Sequence, residues 1–234
     1  MKKIIQTLVI MTFFLAPSLG HAQFGGLGGL KDAMGGGESS GGGNALALQA
    51  ELILGMSVAM NSFLKADAKF MSAIDLDADA KKLLNLVEEP SDNDKKLEAK
   101  IKASREADKK MQSFIDSGKE LSAEGKKDLA DGLLPYAIGM ASMVKMAKVA
   151  PEFLKASVDE IKSVKNPMQI VKIKKQFDLG VKTGKQVPDL FKKLGTSSKK
   201  LFGFAKANKI DMKKVESDAK KAGAADGIPS MSMN

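Results

Sequence analysis

The sequence predicts an all-α protein, a multi-helix bundle with two long central apolar helices, preceded by a signal peptide and a Gly-rich flexible segment. Three observations lead there. From Asn44 onward, apolar residues recur every three or four positions, the period of a helix with a buried face. No period-two alternation persists, the nearest case being the ambiguous QIVKIKKQF at 169–177. Two stretches, 45–64 and 133–144, carry almost no charge, which suits helices buried nearly all round. No repeat of about 20 to 50 residues is visible, which argues against a solenoid.

Taken in order, the chain opens MKKIIQTLVIMTFFLAPSLGHA, with basic Lys2 and Lys3, an apolar run from Ile4 to Leu15, and small residues from Pro17 to Ala22. That is the layout of a secretory signal peptide, with cleavage expected after Ala22 and a mature chain starting at Gln23. The apolar run is too short for a membrane anchor, which needs roughly 20 residues. A periplasmic or secreted location follows as the expectation. Residues 23–43 hold ten of the 22 glycines and read as a flexible linker; neither Walker spacing nor a preceding strand supports a phosphate loop.

The helical domain is expected over 44–222, with a disordered tail at 223–234. Asn44 is a plausible N-cap for a long helix marked by Leu48, Leu52, Met56, Met60, Phe63, Phe70 and Ile74. A short helix ends near Pro90, and Ser91 caps a charged surface helix whose narrow apolar stripe is Leu97, Ile101, Met111 and Ile115. Gly118 and Gly132 read as stops, and Pro135 as a new start for a core helix running to Pro151. Shorter amphipathic pieces then follow: Leu154 to Val164, a piece after Asn166-Pro167, a turn from Pro188 to Leu194, a piece after Ser198, and one after Asp211.

Composition removes much chemistry. There is no cysteine, hence no disulfide, thiolate metal site or Cys nucleophile. The one histidine, His21, lies within the expected signal peptide, so the mature chain has no imidazole for a Ser-His-Asp triad or a usual zinc site. No cofactor is expected.

Three constellations remain to be weighed. Ser62-x-x-Lys65, Ser91-Asp92-Asn93 and Lys182-Thr183-Gly184 reproduce the SxxK, SDN and KTG order of serine β-lactamases, in which a Lys activates the Ser nucleophile. The match is cheap in so lysine-rich a chain, where SxxK recurs at Ser142 and Ser197, and the KTG motif needs an edge strand. Asp75, Asp77 and Asp79 open like a calcium loop, but Ala80 stands where Gly is required and Leu86 where a bidentate Glu is. Acids at a helix start explain them more simply. Met56, Met60, Met71, Met111, Met140, Met143 and Met146 read as core fillers in preference to soft-metal ligands.

Charge gives the strongest functional hint. Residues 44–135 carry 14 basic against 17 acidic side chains, whereas 136–234 carry 20 against 9, so an acidic half precedes a basic one. Within LFKKLGTSSKKLFGFAKANK, residues 190–209, Lys192, Lys193, Lys199, Lys200, Lys206 and Lys209 interleave with Phe191, Phe202 and Phe204, and no carboxylate is present. The expected partner is an anionic membrane, an acidic envelope polymer or another envelope protein. Nucleic acid fits poorly, because Arg105 is the one arginine and lysine lacks the bidentate fork that reads phosphate and guanine. The expected function is non-enzymatic binding of such a surface or partner. A membrane-perturbing protein that inserts its masked apolar helices is the alternative, and a serine–lysine hydrolase the third. The oligomeric state is left open.

Overall fold

The computed structural model describes residues 43–88 and 94–227. The expected signal peptide, most of the Gly-rich linker, the Ser91 cap and residues 228–234 lie outside the described residues. Those described form six α-helices, with no strand among them. In chain order these are α1 (Gly43–Ala73), α2 (Asp77–Glu88), α3 (Asp94–Asp116), α4 (Ala123–Ser163), α5 (Pro167–Ala207) and α6 (Met212–Lys221), with a 3-10 turn at Ala225–Gly227.

Helix α1 is the centre, touching α2, α3, α4 and α5. Its most extensive neighbour is α4, which runs antiparallel to it and meets it through glycines. A Cβ on Gly139 would lie 2.9 Å from the Phe63 ring, one on Gly132 would collide with Phe70, and one on Gly55 with Met146. Removing side chains at 132 and 139 lets each phenylalanine sit directly on the α4 backbone, so these glycines are packing sites. The expected stop at Gly132 is therefore corrected.

The prolines behave likewise. Pro135 and Pro151 lie inside α4 and Pro188 inside α5, each helix running 41 residues without interruption. An interior proline costs about 3 kcal/mol in an isolated helix, but α4 buries fifteen residues along its length. Burying a single large apolar side chain contributes roughly 1.5 to 3 kcal/mol, so packing outweighs the local preference. In the same way the pieces expected between Asn166 and Lys209 are one helix. Asn166 does cap it, accepting from the Met168 N–H at 2.9 Å, while Ser198 is interior and donates to the Gly195 carbonyl at 3.0 Å.

Other boundaries agree with the sequence. The chain leaves α3 through Gly118 at φ 65°, and Asp211 caps α6 by accepting from the Lys214 N–H at 3.1 Å. Helix α1 begins at Gly43, so Asn44 is its second residue and not its cap. Ser122, not singled out from the sequence, caps α4 through the Gly125 N–H at 2.9 Å. Residues 223–227, expected within the tail, are folded: Ala224 is buried with Ala219 against Ala137 of α4.

The seven methionines read as core fillers are all buried. Beside them Tyr136 gathers three phenylalanines from two other helices, with ring centroids at 5.4 Å to Phe63, 5.9 Å to Phe70 and 6.1 Å to Phe202. Such edge-on and tilted contacts add about 0.5 to 1.5 kcal/mol each to the area they bury. They also fix α5 against the α1–α4 pair.

Candidate functional site: the lysine face of α5

The six lysines singled out in 190–209 are all exposed, and the three phenylalanines are not. Phe202 is 1% exposed within the Tyr136 cluster, Phe204 stacks edge-on with Phe114 of α3 at 6.2 Å, and Phe191 is half-buried against the core. The interleaving of Phe with Lys in the sequence is thus the alternation of an inner and an outer helix face. An apolar anchor formed by these phenylalanines is not on the surface; any contact made by the folded face is made by its lysines.

Continuity of α5 puts those lysines in register. Lys185, Lys192, Lys199 and Lys206 are each seven residues apart on one exposed face. At 1.5 Å per residue, successive charges stand about 10.5 Å apart along the axis. None of the four makes an ion pair among the described residues. Their neighbours do: Lys182 pairs with Asp178 at 2.8 Å, Lys193 with Asp189 at 2.9 Å, and Lys200 with Asp116 of α3 at 3.1 Å. Asp189 also lies 3.5 Å from Arg105; the hydrogen bond from Lys193 and the surrounding positive charge hold its carboxyl below the usual range. Helix α5 contains ten lysines and two aspartates, and both aspartates are engaged. Lys209 stands just beyond the helix, exposed, at φ 62°.

A second polar set was missed in the sequence. Helix α3, expected as a surface helix with an apolar stripe of Leu97, Ile101, Met111 and Ile115, does bury the first three, yet the same face carries Lys100, Ser104 and Asp108 at intervals of four. Lys100 is 1% exposed and donates to Asn61 Oδ1 of α1 at 2.7 Å. Ser104 Oγ donates to Asp67 Oδ2 of α1 at 2.6 Å, and Ser197 Oγ of α5 donates to Asp108 Oδ2 at 2.8 Å. Burial pushes the Asp67 carboxyl well above the ordinary value, with the Ser104 bond opposing and the Asp108 charge adding to the rise. Burial also raises Asp108 and, with the nearby aspartates, the Tyr136 phenol. A seam of polar groups therefore ties α3 to α1 and α5. The available signal was the i, i+4, i+8 spacing of Lys100, Ser104 and Asp108 beside the apolar stripe.

The remaining constellations are dispersed. Lys182-Thr183-Gly184 lies within α5, with Thr183 and Gly184 buried; Ser62 is half-buried and Lys65 exposed on α1; residues 91–93 lie outside the described residues. Asp75, at φ 62°, ends α1, while Asp77 and Asp79 occupy the first turn of α2, where Asp79 pairs with Lys110 and Lys82. No group of three or more metal-ligating side chains occurs among the described residues.

No protein-family model, curated protein or solved structure matches this chain.

Proposed function

We propose that this is a non-enzymatic, exported helical protein that binds an anionic envelope surface through the outer face of α5. The supporting observation is the line Lys185, Lys192, Lys199, Lys206, four exposed charges at equal spacing whose neighbours on the same helix are already paired. A lysine near anionic headgroups contributes about 1 kcal/mol at low screening, so three of these together change affinity on the order of 100-fold. Their spacing of about 10.5 Å is close to the Debye length at roughly 0.1 M salt. Each charge then acts nearly on its own, and higher salt weakens all of them.

The test is co-sedimentation of the chain from residue 23 with phosphatidylglycerol and with phosphatidylcholine vesicles across a salt series. Binding to the anionic vesicles alone, lost on adding salt and lost in Lys192→Gln/Lys199→Gln/Lys206→Gln, is the expected result. Equal binding by the triple variant would refute the assignment of this face.

A second reading has its own support. Helix α1 is, by length and composition, apolar enough to cross a membrane within Asn44–Ala73, and Leu54 on it is 41% exposed. A protein that releases α1 into a bilayer would perturb it. Dye leakage from anionic vesicles separates the two, because a surface binder adsorbs without release.

A further inference from the structure

The end of α4 and the start of α5 enclose a groove that the lysine line borders. Its volume is about 380 Å³, within the range of sites for small molecules, roughly 300 to 1,000 Å³. Leu154 and Ile161 of α4 and Phe177 and Val181 of α5 form an apolar floor. Val158 at the lip is 46% exposed. On the α5 side the rim carries Lys174, Asp178 and Lys185. Asp178 is engaged by Lys182, whereas Lys174 and Lys185 are exposed with no ion pair among the described residues.

Lys174 and Lys185 are eleven residues apart, three helical turns, so they stand about 16 Å apart along the axis on nearly the same face. An elongated apolar trough with a free ammonium toward each end suits one kind of molecule. It must be long, apolar along its length and negatively charged at a terminus. A neutral hydrocarbon would leave the ammonium groups unused, and a compact polar anion would leave Val158 and the exposed parts of Leu154, Ile161 and Val181 in water.

We propose that this groove binds a single-chain anionic amphiphile of the fatty-acid class. The chain lies over Leu154, Ile161, Phe177 and Val181, and the carboxylate is met by Lys174 or Lys185. Burying Val158 and the half-buried Leu154, Ile161 and Val181 supplies the hydrophobic contribution, and a charge-assisted hydrogen bond from lysine fixes the head. This site is separate from the reading of α5 as a vesicle-binding face, although Lys185 belongs to both geometries.

The chain contains no tryptophan, so Val158→Trp places a lone indole at the lip of the groove. Titration of this variant with dodecanoate, kept below its micellar concentration and without vesicles, should give a saturable blue shift with one molecule bound per chain. Dodecyltrimethylammonium, with the same chain and the opposite charge, should give none. Adding Lys174→Gln and Lys185→Gln should weaken dodecanoate binding about tenfold or more. Lys192→Gln/Lys199→Gln/Lys206→Gln should leave it unchanged, so failure here and failure of vesicle binding are told apart. Calorimetric titration of the unsubstituted protein with dodecanoate guards against a defect caused by the indole. Absence of saturable binding in both formats overturns the proposal, as does an equal response to the cationic amphiphile. An indole already shielded without ligand, with sedimentation showing a dimer, would assign the groove to a second copy and also overturn it.

Discussion

Helices α4 and α5 have the same length, 41 residues, and both run through proline, but they solve different problems. Helix α4 has six lysines and six carboxylates; α5 has ten lysines and two. Helix α4 buries fifteen residues, three of them glycines that admit phenylalanine or the Ala73 carbonyl, whereas α5 buries ten and leaves one face to its lysines. Shape therefore governs α4 and charge governs the outside of α5. The difference teaches that a proline can be carried by either kind of helix, provided one face is buried along the whole length.

The largest effect should come from the point where the two helices share a core. Phe202→Ala removes the α5 ring from the Tyr136 cluster and should cost about 3 to 5 kcal/mol in urea denaturation. Phe191→Ala, half-buried on the same helix, should cost clearly less. Similar costs would undo the division of α5 into inner and outer faces.

Glycine substitutions sharpen the contrast by changing sign. Gly139→Ala brings a Cβ to 2.9 Å from Phe63 and should destabilise by about 1 to 3 kcal/mol. Gly203→Ala on the exposed face of α5 meets nothing within 4 Å and should stabilise by about 0.5 to 1 kcal/mol. Thermal midpoints of the two variants should move in opposite directions.

The α3 seam supplies a pH dependence. Because Asp67 has a folded pKa above its unfolded one, its contribution to stability is present below the ordinary carboxylate value and is lost as pH rises through the raised one. The groups facing it are Ser104 and Asp108 of α3 and Tyr136 of α4, with Lys100 one turn along α3. Stability of the unsubstituted protein should therefore fall as pH rises above the ordinary carboxylate range, and Asp67→Asn should flatten that fall. A variant curve parallel to the original would show that Asp67 does not set the slope.

The smallest effect belongs to the paired lysines of α5. Lys193→Ala or Lys200→Ala removes an exposed ion pair and should change stability by no more than about 0.5 to 1 kcal/mol.

Helical period and the methionine core were legible because both depend on spacing, which the chain displays directly. Asn166, Asp211 and Gly118 were legible because capping and positive φ are local demands. The prolines were not: Pro135, Pro151 and Pro188 break helices by a local rule, and only the distant partners of α4 and α5 show why they do not here. That error also hid the lysine line, since reading 188–194 and 199–209 as separate pieces loses the register between Lys192 and Lys199. Phe202 reads in sequence as part of the binding stretch because charged residues flank it, although its helical position places it inside. Lys100 and Asp67 were passed over because charged residues are ordinarily solvated, and their burial depends on hydrogen-bond partners in other elements.

The methionine core has a consequence for redox chemistry. With no thiol in the chain, thioethers are its principal targets for mild oxidants, and Met56, Met60, Met71, Met140, Met143 and Met146 are all 6% exposed or less. Converting one to its sulfoxide would set a polar group in a close-packed interior. While the bundle stays shut these sulfurs are shielded, so the rate at which they take up oxygen measures how often α1 and α4 come apart.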